Sequence, residues 1–110
     1  MRKVIVVSNR RLTRRRNLAV RLRYRIMKSR IPEQSAESVN ISKGGVYFTT
    51  ALSLERGAAI QLLMTMPEQI TGRPTTEWRC TGHIAHVKPL PSRGSVGIGV
   101  RFDCYEILTG

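Results

Sequence analysis

The chain has 110 residues, 41% of them hydrophobic, and carries 19 Lys and Arg against 7 Asp and Glu for a formal net charge of +12. That is enough chain for one core and too little for two domains, and it leaves a fold of modest stability that a bound ligand can shift. Cys80 and Cys104, far apart in sequence, exclude a disulfide framework and a cysteine metal motif.

Residues 4–7 are an apolar patch behind Met1, Arg2 and Lys3, too short for a signal-peptide core or a membrane span, so the expected location is cytoplasmic. Residues 1–30 hold 12 of the 19 cations, and the first acidic residue is Glu33. Such a field attracts anions without choosing among nucleic acid, anionic lipid and phosphorylated small molecules. Residues 1–17 read as a basic arm and 18–110 as the folded domain. From residue 18 the chain alternates: Leu18, Val20, Leu22, Tyr24 and Ile26 against Ala19, Arg21, Arg23, Arg25 and Met27, which predicts a strand with one core-facing and one basic side.

Residues 32–37 read as a polar connection, 38–42 as the end of a second strand broken by Gly44 and Gly45, and 46–50 as a third. Residues 52–57 form a turn segment, because Gly57 ends it after too few residues for a helix. Residues 58–66 place Ala58, Ile60, Leu62 and Met64 on one side, and 67–76, punctuated by Gly72 and Pro74, form the longest loop. Residues 78–87 are a fifth strand with Trp78, Cys80, Gly82, Ile84 and His86 on one face; 88–95 turn the chain, and 96–105 are the sixth. Six short strands without a helix of ten residues predict an all-β fold, a small six-stranded antiparallel barrel whose closure removes exposed sheet edges. A C-terminal helix is expected to be short or absent.

Two segments carry candidate function. Arg10, Arg11, Arg14, Arg15 and Arg16 put five arginines in seven positions just before the first strand, and a guanidinium grips a phosphate or a guanine edge with two parallel hydrogen bonds. The plain alternative is a solvated basic tail that touches RNA or DNA without reading sequence. Single-strand binding is disfavoured because Phe and Tyr total five residues, most of them at core-like positions. The second segment, Asn40, Ser42, Gly44 and Gly45, describes a tight turn whose backbone admits a ligand closely, with Asn40 and Ser42 pointing the same way and Gly45 tolerating a left-handed or crowded geometry. Its plain alternative is a hairpin turn. No P-loop ending is present. His83 and His86 fall on opposite faces of a strand and Asp103 is the only aspartate, so neither a metal pair nor paired aspartates exist, and an enzyme is not expected.

Taken in order, these segments resemble the PilZ domain, a bacterial family of receptors for cyclic di-GMP. Asn40-x-Ser42-x-x-Gly45 is similar to the family's Asp/Asn-x-Ser-x-x-Gly turn, Arg11 with Arg15 or Arg10 with Arg14 fits its RxxxR pair, and Gly97-Ile98-Gly99-Val100-Arg101-Phe102 looks like its last barrel strand. The resemblance spans roughly residues 10–105. It implies that the arginine pair grips guanine Hoogsteen edges and phosphates, that Asn40 and Ser42 meet a guanine from the barrel side, and that Gly44 and Gly45 let it lie close. Asn40 stands where aspartate is commoner, and its amide cannot make a carboxylate's charge-assisted bond. The resemblance implies no cofactor beyond the ligand cyclic di-GMP, low-micromolar or tighter affinity, and a signal delivered by contact with an unidentified protein effector, with a homodimer open. The alternatives are a basic small-barrel nucleic-acid binder and a PilZ-like interaction module without ligand.

Overall fold

A computed structural model describes residues 2–6, 17–91 and 94–108, the first of these segments as backbone. In chain order the elements are β1 (Arg2–Val6), β2 (Arg21–Ile26), β3 (Gln34–Ile41), β4 (Gly45–Thr50), β5 (Ala59–Met66), the single turn α1 (Glu68–Thr71), β6 (Thr76–Pro89) and β7 (Val96–Leu108). Every strand pairing is antiparallel. The order β7-β4-β3-β2-β5-β6 returns to β7, so six strands close into the expected all-β barrel.

Alternation fills the interior. Leu22 and Tyr24 come from β2, Ile60, Leu62, Met64 and Met66 from β5, Trp78, Cys80 and Ile84 from β6, and Ile98, Val100 and Phe102 from β7, all buried. Tyr24 lies with its ring centroid 4.9 Å from that of Phe48, and its hydroxyl reaches Thr50 Oγ1 at 2.8 Å, which satisfies the one polar atom this ring brings inward. At the other end Trp78 stacks on Tyr105 at 4.0 Å, and the buried Trp78 Nε1 finds no hydrogen-bond partner among the described residues.

Four features depart from the expected layout. The segment 32–37 is not wholly a connection: β3 already begins at Gln34, because residues 34–37 pair with Tyr24 back to Arg21 on β2, and their polar side chains conceal the strand. The loop 67–76 contains α1, ended by Gly72 in the left-handed region at φ 72°. His86 does not share the buried face of Ile84, because the register between β6 and β7 shifts between Ile84 and His86 and turns the imidazole outward. Finally, residues 2–6, placed in the arm by their charge, pair with β7 from Arg2 opposite Leu108 to Val6 opposite Cys104. β7 has room for this strand because β4 covers only its residues 96–101.

Candidate functional site

The turn between β3 and β4 gathers the site, and a bulge sets its facing. Ser38 opposes Phe48 while Asn40 opposes Tyr47, so one extra residue, Val39, is inserted on β3. The insertion lets Ser38 sit buried beside Phe48 and puts Asn40, half-buried, on the outer wall beside Tyr47. Two positions later Ser42 is buried, its N–H donating to the Gly45 carbonyl at 2.9 Å and its Oγ accepting the Gly44 N–H at 3.1 Å. Those bonds define a tight turn and leave the Ser42 hydroxyl proton without an acceptor among the described residues.

Gly44 and Gly45 do not take the left-handed geometry, since neither has a positive φ. The demand on Gly45 is crowding. A Cβ there would lie 2.3 Å from the Val100 carbonyl oxygen, and the Gly44 carbonyl accepts the Phe102 N–H at 2.9 Å, so the turn is pressed onto β7.

That contact brings in three residues that the sequence reading did not select. On the outer wall Tyr47 of β4 and His86 of β6 both register with Gly99 of β7. The Tyr47 hydroxyl lies where a Gly97 Cβ would be, 1.8 Å away, and the His86 ring packs 3.3 Å from a Gly99 Cβ position. Glycines at alternate positions of β7 thus form a trough into which two rings lean from either side. Arg101 follows on the same face, opposite both Gly45 and His83, exposed and without an ion pair among the described residues. The signal was present in the sequence, for two glycines at i and i+2 followed by an arginine at i+4 share one strand face.

Asn40, Ser42, Gly44, Gly45, Tyr47, His86, Gly99 and Arg101 line a cavity of about 200 Å³ together with Val46, Ala85 and Val100. Sites for drug-sized ligands run to about 300–1,000 Å³, so this one has room for a single ring system. Its polar groups suit a planar, anionic partner: a guanidinium, an amide and a hydroxyl above an aromatic and glycine floor. Arg10, Arg11, Arg14 and Arg15 lie outside the described residues. A larger open cleft of about 740 Å³ crosses β2, β3 and β5, but Arg21 stands opposite Glu37 in the ladder, Arg23 pairs with Glu33 at 3.6 Å, and none of the residues selected from sequence lines it.

Elsewhere the chemistry is quiet. Burial, and then Cys104, push the Cys80 thiol well above its ordinary range, which keeps it protonated and unreactive. His83 Nδ1 sits 3.2 Å from Asp103 Oδ1 on the outer wall. Among the described residues no three His, Cys, Asp or Glu side chains are grouped to hold a metal ion, and no helix is long and apolar enough to cross a membrane.

No curated protein matches this chain. Among solved structures it is similar to the Bacillus subtilis inhibitor of motility, MotI/DgrA, with a TM-score of 0.67 and 18% identity over 87% of this chain. The likeness is one of fold, and the chain spans 43% of that protein's length. The PilZ domain matches residues 9–107, taking in the arginine segment, the Asn40–Gly45 turn and the Gly97–Phe102 strand in one frame, and the chain therefore belongs to the PilZ domain family.

Proposed function

We propose that this PilZ domain is a cyclic di-GMP receptor that changes its surface on binding and signals through a protein partner. The observation that carries the reading is the cavity on the outer wall, where Asn40 and Ser42 of the family turn meet Arg101, His86 and Tyr47 around space for one base. One guanine enters there. The phosphates and the second guanine, left outside, are taken by the arginines of residues 10–15, either Arg11 with Arg15 or Arg10 with Arg14. Arginine to guanine O6 and N7 is the most discriminating two-point contact a cation offers, and each charged bond contributes about 1.5–3 kcal/mol. Micromolar affinity, about 8 kcal/mol, is within reach of such a set. The reading needs no chemistry, in keeping with a family of non-catalytic receptor and adaptor modules. Binding places a covering segment over the barrel and presents a new face to the partner, an order–disorder type of switch. A partner senses the ligand only by preferring the liganded state, and the ligand then favours the partner complex by the same factor.

Net charge of +12 supports a second reading, nonspecific nucleic-acid binding. Paired calorimetric titrations of cyclic di-GMP and a 20-mer DNA duplex separate the two. Asn40→Ala and Ser42→Ala are expected to weaken the dinucleotide while leaving DNA association, which follows phosphate neutralisation and salt, nearly unchanged. Absence of heat with cyclic di-GMP at high concentration would refute the receptor reading. Equal losses for both ligands would establish one shared electrostatic surface.

A further inference from the structure

The polar side chains lining the outer-wall cavity are those of Asn40, Ser42, Tyr47, His86 and Arg101. No carboxylate is among them in the described residues, so no side chain there is an acceptor only. Four of the five serve a donor or an acceptor alike. The Asn40 amide offers a carbonyl and an NH2 group and exchanges the two by a half turn about its last bond. The Ser42 Oγ accepts the Gly44 N–H at 3.1 Å and still has a proton to give and a lone pair to fill. The Tyr47 hydroxyl does both, and the neutral His86 ring does either according to its tautomer. Arg101 differs, because a guanidinium donates through a planar fork and accepts nothing. Its place in the barrel leaves that fork unspent. Arg101 stands between Gly45 and His83 in register, and a Cβ on Gly45 would come within 3.6 Å of the Arg101 Cα, so the arginine lies directly against the turn. The acid two residues on, Asp103, sits 3.2 Å from His83 instead, and Arg101 is exposed with no ion pair among the described residues.

From this arrangement we infer that Arg101 is the specificity-determining residue of the cavity, selecting guanine over adenine. The inference rests on the cyclic di-GMP reading and names the group that enforces it. Guanine presents two acceptors, O6 and N7, along one edge, and they match the two parallel N–H donors of a guanidinium. Adenine puts an amino donor where O6 would be, so one arm of the fork then meets another donor and its bond is lost. Asn40 makes no such choice. Its amide donates to O6 and accepts from N1–H of guanine, and after a half turn it donates to N1 and accepts from the amino group of adenine, with two bonds in either case. A two-point arginine pair discriminates between bases by about tenfold or more, which is the selection assigned here to one residue.

The test titrates the full chain with cyclic di-GMP and with cyclic di-AMP by calorimetry, with melting curves of the free protein alongside. Arg101→Lys keeps the charge and removes the fork. It is expected to lower affinity for cyclic di-GMP about tenfold and to leave that for cyclic di-AMP within about twofold. The melting temperature should not move, since the side chain is exposed. Asn40→Ala is expected to weaken both dinucleotides by a similar factor and so to preserve the preference between them. A residue acting through charge alone would leave both affinities intact in Arg101→Lys, and one acting through the fold would weaken both ligands alike. A preference for cyclic di-GMP that survives Arg101→Lys, or an unaltered chain that binds the two dinucleotides equally, overturns the inference while the receptor reading stands. No binding of cyclic di-GMP by the unaltered chain overturns the reading and the inference with it.

Discussion

A methyl group added at Gly45 would lie 2.3 Å from the Val100 carbonyl oxygen, whereas one added at Gly97 would meet the tip of Tyr47, with the hydroxyl oxygen at 1.8 Å. The first obstacle is backbone in the β4–β7 ladder and moves only if the barrel opens. The second is a half-buried ring that swings outward. Gly45→Ala is therefore expected to destabilise the domain by about 1–3 kcal/mol in urea unfolding, and Gly97→Ala by less despite its closer contact. Gly97→Ala should instead displace Tyr47 from the cavity and lower ligand affinity; equal destabilisation by the two would show that Tyr47 is fixed. Cys80 allows a pH prediction. Its thiol is pushed up from 9.0 by burial first and Cys104 second, so the folded state keeps a proton that the unfolded chain releases above 9.0. Stability is thus intact below 9.0 and falls as pH rises beyond it, by about 1.4 kcal/mol per unit for one proton. Tyr105, raised by burial and by Cys80 and lowered by Arg73, moves the same way above 10.0. Urea unfolding between about pH 8 and 10 should show the decline, and Cys80→Ala should flatten its first part.

Among the elements, the β3 bulge places the site, and it is also where the sequence is least readable. Val39, the inserted residue, is 46% exposed, so Val39→Ala should change stability by no more than about 0.5 kcal/mol. Deleting Val39 is a different perturbation. It removes the bulge and forces either Ser38 or Asn40 onto the wrong side of the wall, since a one-residue slip reverses every side chain of a strand. The deletion is expected to cost far more stability than the alanine and to abolish cyclic di-GMP binding; a deletion variant as stable as Val39→Ala would mean that the bulge is not needed. Strands β2 and β5 are legible because Leu22 and Tyr24, and Ile60, Leu62 and Met64, recur at every second position, with neighbours that, Leu63 apart, are polar or exposed. The first half of β3 is not, because Gln34, Ser35 and Glu37 are polar whichever way they face. β1 is hidden by its basic residues and by a pairing that depends on how far β7 outruns β4. Of the site, Asn40, Ser42 and Gly45 can be found from their spacing within three elements' reach, whereas Tyr47, His86 and Arg101 meet only through cross-strand register, and His86 only through a second irregularity. Periodicity carries no information on where one strand slips against another.

Charge is divided unequally over the whole molecule: residues 1–16 hold Arg2, Lys3, Arg10, Arg11, Arg14, Arg15 and Arg16 with no acid, and the remaining 12 cations stand against all 7 acids. Two of those seven cations, Arg2 and Lys3, lie in β1 on the barrel, and the other five are the arginines of residues 10–16, so much of the attraction for anions comes from outside the cavity that would select among them. Ligand-linked stability distinguishes attraction from selection. A ligand that binds only the folded state, present at 100 times its dissociation constant, stabilises by about 2.7 kcal/mol. For a domain of this size each kcal/mol raises the melting temperature by about 4 °C, which gives a shift of about 10 °C. Cyclic di-GMP is expected to produce that shift, and GMP or inorganic phosphate at the same concentration is expected to produce little of it, because neither spans the cavity and the arginines together. Raising salt from about 50 to 200 mM should erase stabilisation by a polyanion, whose affinity falls by orders of magnitude over that range, and only reduce that by the dinucleotide. Replacing Arg10, Arg11, Arg14 and Arg15 together by alanine should leave the melting temperature of the free protein close to its unaltered value and remove the shift. If phosphate alone stabilises the chain as strongly as cyclic di-GMP does, the cavity contributes no selection and the arm's charge accounts for the binding.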